Sequence, residues 1–209
     1  MDSTPIIQEA VKVLREGGVI LYPTDTVWGI GCDATNEQAV ARVFEIKRRP
    51  EAKSLVLLAC DLDMVAKYIK KIPSIAIDLV EVNDAPMTII YPGAQYLAPN
   101  AVADDGSVGI RIPLDPSFVG STGESPAKRT DLSAGAFCRE LVRRLRRPLV
   151  STSANISGDP TPSDFSEISG EIKAAVDYVV PKPFGAGATG RSSQIIKLGL
   201  GGEVEILRP

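Results

Sequence analysis

Short apolar runs separated by amphipathic stretches constrain the fold of this sequence more than any other feature. Val19–Tyr22, Met87–Tyr91 and Val108–Ile112 are mainly apolar and only four or five residues long, which is typical of buried strands. Other stretches, such as Ile6–Leu14, carry apolar residues at helical spacing. Strands and helices do not alternate strictly. We therefore predict an α/β fold of the α+β type, in which a mixed sheet is flanked by helices.

The same patterns divide the chain into elements. Helices are predicted at residues 3–16, 35–49, 62–71, 73–82, 137–146 and 164–176. Strands are predicted at residues 19–22, 54–59, 87–91, 108–112, 149–150, 177–180, 194–198 and 204–207, with a loop or strand pair over 23–33. A length of 209 residues fits a single domain, 1–209.

Residues 116–135 differ in composition from the rest of the chain. They are rich in Gly, Ser, Thr and Pro, and only Phe118, Val119 and Leu132 are strongly apolar. We interpret this segment as a surface insertion that packs weakly on the core. A lid over a functional site is the alternative.

Composition excludes several kinds of chemistry. The chain has no histidine, which rules out Ser-His-Asp and Cys-His catalysis and histidine-ligated metal sites. The cysteines Cys32, Cys60 and Cys138 are far apart and form no CxxC, so neither a zinc site nor a disulfide framework is expected. The net charge of −3 makes no case for a general nucleic-acid coat.

Targeting features are absent from the sequence. No apolar stretch reaches the roughly 18 residues of a membrane span, so no membrane partner is expected. The N-terminal residues include Asp2 and Glu9 and lack the apolar core of a signal peptide. We expect a cytoplasmic protein.

Two local motifs give only weak signals. Gly185–Gly190 matches GxGxxG, but a β-type run follows it, whereas a phosphate-binding loop of that kind needs a helix. We interpret it as a flexible connector. Residues 139–147 carry five arginines and one glutamate. A solvated helix face is the simplest interpretation, and an RNA or phosphate contact is the alternative.

Three polar segments follow predicted strands or end a predicted helix. They are Tyr22–Asp33, Ile46–Leu55 and Val150–Gly158. Cations, hydroxyls and amides without histidine suit anion binding and phosphate chemistry. Each segment alone has an ordinary explanation, since basic residues favour a helix C-terminus and Ser/Asn clusters favour turns.

Together these segments resemble the YrdC family, the threonylcarbamoyl-AMP synthases, over residues 11–209. Lys47–Arg49 and Ser153–Asn155 match the KxR and SxN signatures, and PTDTVWGIGCDA, GIRIP at 109–113 and ILRP at 206–209 also match. The resemblance implies a twisted mixed sheet around a deep, positively charged cavity. It also implies synthesis of threonylcarbamoyl-AMP and pyrophosphate from L-threonine, bicarbonate or CO2, and ATP, for a tRNA-modifying transferase complex downstream. Mg²⁺ would be carried mainly by ATP.

The resemblance also assigns roles to individual residues. Lys47 and Arg49 would be catalytic, and no residue would bind a metal. The residues implied for ATP are Lys47, Arg49, Lys53, Ser107, Ser153, Asn155, Thr161 and Arg208. The residues implied for threonine are Thr26, Arg111, Ser151 and Ser193.

This sequence departs from the family pattern at two motifs, and residues 116–135 resemble an insertion relative to family members. Ser193–Ile195 reads Ser-Gln-Ile instead of Ser-Thr-Val/Ile, and Asp84–Thr88 replaces Pro-Gly-Pro-x-Thr.

Two other functions remain open. One is a YrdC-like module that binds double-stranded RNA or ribosomal precursors without adenylate chemistry. The other is a carbamoyl-adenylate enzyme of hydrogenase maturation, although such chains are much longer and carry zinc-finger-like cysteines.

Overall fold

The computed structural model describes residues 3–49, 55–115 and 133–209. The helices are α1 (Thr4–Arg15), α2 (Glu37–Ile46), α3 (Leu62–Tyr68), α4 (Ser74–Val82), α5 (Ala134–Leu145) and α6 (Gly170–Ala175). The strands are β1 (Ile20–Tyr22), β2 (Gly29–Gly31), β3 (Val56–Leu58), β4 (Met87–Tyr91), β5 (Val108–Arg111), β6 (Leu149–Ser153), β7 (Tyr178–Val179), β8 (Gln194–Leu198) and β9 (Val204–Arg208).

The nine strands form one mixed sheet in the order β7-β1-β2-β6-β3-β5-β4-β8-β9. The pairs β1–β7, β3–β5 and β4–β8 are parallel, and the other five are antiparallel. Helices cover the sheet, and α1 buries Ile7, Ala10 and Leu14 in the core. The mixed sheet flanked by helices is therefore confirmed.

Side-chain caps define where several helices begin. The Asn36 side chain accepts a hydrogen bond from the Ala39 amide at 3.1 Å and caps α2, and Ser133 caps α5 through the Ala136 amide at 3.2 Å. Such caps satisfy amides that the first helical turn leaves without partners. The predicted start of α2 near residue 35 is thus confirmed to within two residues.

The single helix predicted over 164–176 is wrong. The chain forms a 3-10 turn at Phe165–Glu167 and then a separate helix, α6. Asp164 caps the turn through the Ser166 amide, and Ser169 caps α6 through the Ile172 amide. Because two N-terminal caps lie five residues apart, the backbone must leave the helical conformation between them.

Strand β6 is longer than the sequence predicts. It continues through the polar residues Ser151 and Ser153, because Ser151 pairs with Val56 of β3 and Ser153 pairs with Gly29 of β2. A polar run that looked like a loop after a strand is therefore part of a central strand.

The predicted insertion at 116–135 falls mostly outside the described residues. Only 133–135 are described, and Ala134 and Gly135 form the first turn of α5 rather than an insertion. A Cβ atom at Gly135 would lie 1.7 Å from the Leu114 carbonyl oxygen. The start of this helix therefore packs directly on the segment that follows β5.

We expect Gly135→Ala to lower the free energy of unfolding by about 2 kcal/mol or more, because a buried Cβ with no space forces backbone to move. At this chain length the thermal midpoint falls by roughly 4–8 °C. Gly170→Ala is the matched control, since it lies in the first turn of α6 and its Cβ would meet nothing within 4 Å. Equal midpoints for the two variants would contradict the packing.

Candidate functional site

The polar side chains of the central strands face one cavity of about 260 Å³. Its described lining consists of Thr24, Thr26, Val27, Gly29, Arg49, Val56, Arg111, Ser151, Thr152, Ser153, Ser192, Ser193, Ile195 and Arg208. Three arginines and seven Ser or Thr residues line it, and no carboxylate does so in the part of the chain that the structure describes. A cavity of this composition suits anions that also carry hydrogen-bonding groups.

The loop after β1 presents two threonine hydroxyls to the cavity. Thr24 Oγ1 donates to the Val27 carbonyl at 2.7 Å, so its single proton is committed. Thr26 Oγ1 lies 2.8 Å from Thr24 Oγ1 and must be the donor of that pair. Thr24 Oγ1 also accepts from the Thr26 and Val27 amides at 3.1 and 3.3 Å, so Thr26 Oγ1 is the hydroxyl that keeps acceptor lone pairs for other groups.

Arg111 at the end of β5 uses those lone pairs. Its Nη1 donates to Thr26 Oγ1 at 2.9 Å, and its Nη2 reaches Thr24 Oγ1 at 3.5 Å. Asp25 Oδ1 lies 3.4 Å from Nη2, and both side chains are 5 % exposed. Arg111 Nε has no hydrogen-bond partner among the described residues. The loop therefore holds the guanidinium at Nη1 and Nη2, and Nε is a further donor without a partner.

A second cluster of side chains closes the cavity at the β8–β9 hairpin. Ser193 Oγ lies 2.8 Å from Thr88 Oγ1. Arg208 donates through Nε to the Ser193 carbonyl at 2.7 Å, and its Nη2 lies 3.4 Å from Ser193 Oγ. Burial and the nearby Arg111 charge lower the pKa of Arg208. The last strand thus brings a second guanidinium to the wall that carries Arg111.

Arg49 provides the third guanidinium, from the segment that follows α2. Its amide donates to the Phe44 carbonyl at 2.9 Å, and the preceding Arg48 has a positive φ of 50°, so the chain turns sharply here. Arg49 Nη1 lies 3.5 Å from Thr152 Oγ1, on the cavity wall. Burial lowers the pKa of Arg49.

Lys47 is buried behind the cavity wall rather than on it. Its ammonium donates to the Asn155 carbonyl at 2.7 Å and to the Ser153 carbonyl, and only 2 % of the residue is exposed. The Ser157 amide donates back to the Lys47 carbonyl at 2.9 Å. Burial lowers the pKa of Lys47 from 10.5 to about 8, and the Arg49 charge adds to this effect.

The lowered pKa of Lys47 predicts a pH-dependent contribution to stability. Between about pH 8 and 10.5 the unfolded chain binds more protons at Lys47 than the folded chain, so this contribution to the free energy of unfolding rises with pH. From about pH 7.5 to 9.5 the gain should be about 2 kcal/mol relative to Lys47→Met, measured by urea unfolding of both proteins. A pH-independent difference would show that the folded pKa is not lowered.

The structure brings together seven of the residues that the family resemblance assigned to the site. They are Thr26, Arg49, Arg111, Ser151, Ser153, Ser193 and Arg208. Thr24, Thr152 and Ser192 also line the cavity and were missed, although Thr24 lies in the same PTDT motif as Thr26. The signal was present in the motif, but only the backbone conformation shows which of its hydroxyls face inward.

Four other assigned residues lie elsewhere or are not described. Asn155 and Thr161 line a second cavity of about 320 Å³, and Ala154 on its wall directly follows Ser153. Ser107 precedes β5, at the end opposite Arg111, and donates to Asp105 Oδ1 at 2.5 Å. Lys53 lies outside the described residues.

A larger cavity of about 480 Å³ lies on the opposite face of the sheet. Alternation along β5 places Ile110 in its wall, whereas Arg111 faces the smaller cavity. Its floor includes Met87, Ile89 and Tyr91 of β4. The two faces of the sheet therefore carry an apolar and a cationic cavity.

Intramolecular partners hold most arginines of residues 139–147. Arg143 and Arg144 bond Glu140 at 2.7 and 2.6 Å, Arg147 bonds Asp33 at 2.6 Å, and Arg139 donates to the Cys60 carbonyl. These contacts account for much of the local charge without a nucleic acid.

The GxGxxG segment is followed by β8 and not by a helix, as expected. Its Gly190 amide donates to the Thr26 carbonyl at 2.8 Å.

The described residues show no metal or membrane features. The three cysteines are free and buried, and no group of three or more His, Cys, Asp or Glu side chains could hold a metal ion in the described ranges. Within the same ranges no helix has both the length and the apolar character needed to span a bilayer.

A family model named for Sua5, YciO and YrdC, with the description "Telomere recombination", matches residues 12–119 and 131–209. The chain belongs to the Sua5/YciO/YrdC family. Its relatives include threonylcarbamoyl-AMP synthases from Xanthomonas campestris pv. campestris, 33% identical over 86% of this chain and 87% of the relative, and from Xanthomonas euvesicatoria pv. vesicatoria, 33% identical over 94% and 100%.

Solved structures of the Sua5/YciO/YrdC family have the same fold. P. abyssi Sua5 complexed with L-threonine superposes with a TM-score of 0.74 at 25% identity, covering 92% of this chain and 50% of that one. E. coli YciO superposes with a TM-score of 0.71 at 23% identity, covering 98% and 88%. This chain therefore spans about half the length of the P. abyssi Sua5 chain.

Proposed function

We propose that this chain is an L-threonylcarbamoyladenylate synthase, which makes threonylcarbamoyl-AMP and pyrophosphate from L-threonine, bicarbonate or CO2, and ATP. The observation that supports this most is the convergence of Arg49, Arg111 and Arg208 on a hydroxyl-rich cavity. Two anionic reactants must meet in such a reaction, and three guanidinium groups favour their approach. Relatives named threonylcarbamoyl-AMP synthase and a Sua5 complexed with L-threonine support the same function.

The threonine end of the cavity is proposed to be formed by Thr26, Arg111, Ser151 and Ser193. Arg111 would bind the substrate carboxylate, because a planar guanidinium matches a carboxylate with two donors. The Thr26 hydroxyl donates a hydrogen bond to Thr24 Oγ1, so its oxygen would accept a hydrogen bond from the substrate ammonium or hydroxyl group.

The ATP end is proposed to be formed by Arg49, Ser153 and Arg208 on the cavity wall. The second cavity, which carries Asn155 and Thr161, would hold the rest of the nucleotide. Lys47 holds the backbone of Ser153 and Asn155, so it would act on ATP through that segment in the conformation seen here. Lys53 and Ser107 remain proposed ATP residues on the resemblance alone.

The reaction then depends on positioning and charge. Threonine nitrogen adds to CO2 and releases a proton, which gives the carbamate. A carbamate oxygen attacks the α-phosphorus of ATP, the new O–P bond forms, and the bond to the β-phosphate oxygen breaks as pyrophosphate leaves. The chain supplies no histidine base, and none is needed, because the amine loses its proton to solvent as the carbamate forms. Arginines that neutralise the triphosphate lower the barrier electrostatically.

Mg²⁺ is proposed to enter as part of the ATP substrate. No carboxylate lines the cationic cavity in the described part of the chain, so these residues do not fit a resident divalent cation. The oxygens of the triphosphate would carry the ion instead.

Further assignments follow from this function. The enzyme would be a nucleotidyltransferase, its product would pass to a tRNA-modifying transferase complex, and it would act in the cytoplasm. We also propose a single domain over 1–209 with an insertion near 116–135. The family match, which omits residues 120–130, supports that insertion.

The proposed function is tested by ATP–pyrophosphate exchange. Incorporation of labelled pyrophosphate into ATP should require both L-threonine and bicarbonate. Exchange that needs neither reactant, or no exchange by a folded protein, would overturn the proposal. Exchange with carbamoyl phosphate in place of threonine and bicarbonate would indicate a carbamoyl-adenylate enzyme.

A further inference from the structure

Asp25 is a buried carboxylate next to the cavity that the proposed reaction does not yet use. The residue is 4 % exposed and does not line the cavity. Its Oδ2 accepts a hydrogen bond from the Leu114 amide at 3.0 Å. Its Oδ1 is buried and has no hydrogen-bond partner among the described residues. A buried carboxylate oxygen without a hydrogen bond is costly and calls for an explanation.

The charge nearest to that oxygen is Arg111. Asp25 Oδ1 lies 3.4 Å from Arg111 Nη2, on the same guanidinium that donates to Thr26. Because the Leu114 amide fixes Oδ2, the carboxylate is anchored to the segment that directly follows β5, the strand that carries Arg111. Arg111 lines the cavity and Asp25 does not. The carboxylate can therefore orient the guanidinium from the side away from the cavity, and the guanidinium remains available to a ligand in the cavity.

The backbone around Asp25 is also anchored. Its carbonyl accepts from the Thr189 amide at 2.9 Å, and the Thr26 carbonyl accepts from Gly190. A carboxylate held at its backbone and at one oxygen has little freedom to follow the guanidinium. The guanidinium must instead adapt to the carboxylate, which is the arrangement expected of a positioning group.

We propose that Asp25 is a positioning residue that sets the orientation of the Arg111 guanidinium for the carboxylate of the amino acid substrate. This inference rests on the proposed function. Asparagine at this position would keep the size of the side chain and could still accept from the Leu114 amide. Its NH₂ group would then face Arg111 Nη2, and two hydrogen-bond donors cannot bond to each other. Asp25→Asn should therefore weaken the binding of threonine without touching the ATP end of the cavity.

The test measures binding of L-threonine and of ATP separately, by calorimetry, and then the steady-state kinetics. For Asp25→Asn we expect the Kd and KM for L-threonine to rise at least about 10-fold. The KM for ATP should stay within about 2-fold. Asp33→Asn is the matched control, because Asp33 is another buried aspartate paired with an arginine, Arg147, and neither residue lines the cavity. It should lower the thermal midpoint and leave the KM for threonine unchanged.

The outcomes separate this inference from the proposed function. If the wild-type protein does not bind L-threonine, the proposed function fails. If it does, and Asp25→Asn binds threonine as tightly, or loses ATP affinity equally, the positioning role is overturned. If Asp25→Asn does not fold, the double variant Asp25→Asn with Arg111→Gln decides. Recovery of folding supports the pair, and continued failure to fold overturns it.

Discussion

Arg111→Gln should reduce kcat/KM for L-threonine roughly 1,000-fold. Removing one partner of a buried charge pair costs about 3–5 kcal/mol, and each 1.4 kcal/mol is a factor of ten. Arg111 is 5 % exposed and lies on the cavity wall, and glutamine would offer the substrate carboxylate no positive charge there. Initial rates of pyrophosphate release at varied threonine concentration measure the effect, and circular dichroism verifies the fold.

A substrate without a carboxylate provides the control for this prediction. Wild-type protein should use 1-amino-2-propanol, the decarboxylated analogue of threonine, orders of magnitude less well than threonine, because a buried arginine would be left without its anion. In Arg111→Gln the two amines should become similar. Arg143→Ala removes an exposed arginine paired with Glu140 and should change neither rate. Equal use of both amines by the wild-type protein would contradict the role of Arg111.

Arg49→Ala should reduce adenylate formation at least about 100-fold, mainly by weakening the stabilisation of the triphosphate. A charge-assisted contact to phosphate in a cavity shielded from water contributes about 2–4 kcal/mol. Unlike Arg111→Gln, this change should act through ATP, so the KM for threonine should vary little. The rate of ATP–pyrophosphate exchange at saturating threonine and bicarbonate measures it.

The neighbouring arginine is the matched control for Arg49. Arg48 is exposed, pairs with Glu171 at 2.5 Å, and does not line the cavity. Its backbone has the same positive φ whichever side chain it carries, so Arg48→Ala changes charge with little added strain. Near-normal exchange by a folded Arg49→Ala would show that the phosphate site lies elsewhere.

Local patterns were sufficient to predict most of the elements. The strands β4 and β8 have the predicted bounds, and α1, α2 and α4 begin and end within two or three residues of prediction. In these segments the buried side chains are apolar and recur at the period of a helix or a strand, and this period is visible in the sequence itself. The prediction of one helix over 164–176 was wrong because the apolar periodicity is helical there, whereas the caps formed by Asp164 and Ser169 divide the segment into a 3-10 turn and a separate helix.

The family signatures indicated the chemical nature of the site. The absence of histidine, the KxR and SxN signatures and the GIRIP strand pointed to anionic substrates, and seven of the assigned residues share one cavity. Asp25 lies in the PTDT motif, between the two threonines. Nothing in the local sequence shows that its carboxylate lies behind Arg111, which is 86 residues further along the chain.

The sequence by itself determined most of the strands and helices and the cationic character of the site, because these depend on residue type and on neighbours a few positions away. The tertiary structure decided which groups face the cavity. Lys47 turns inward to the carbonyls of Ser153 and Asn155, more than 100 residues away, whereas Arg49, two residues later, reaches the cavity wall. Strand pairing likewise turned Ser151 and Ser153 from a loop into β6. Contacts at such separation depend on how the sheet assembles, and no local pattern records that.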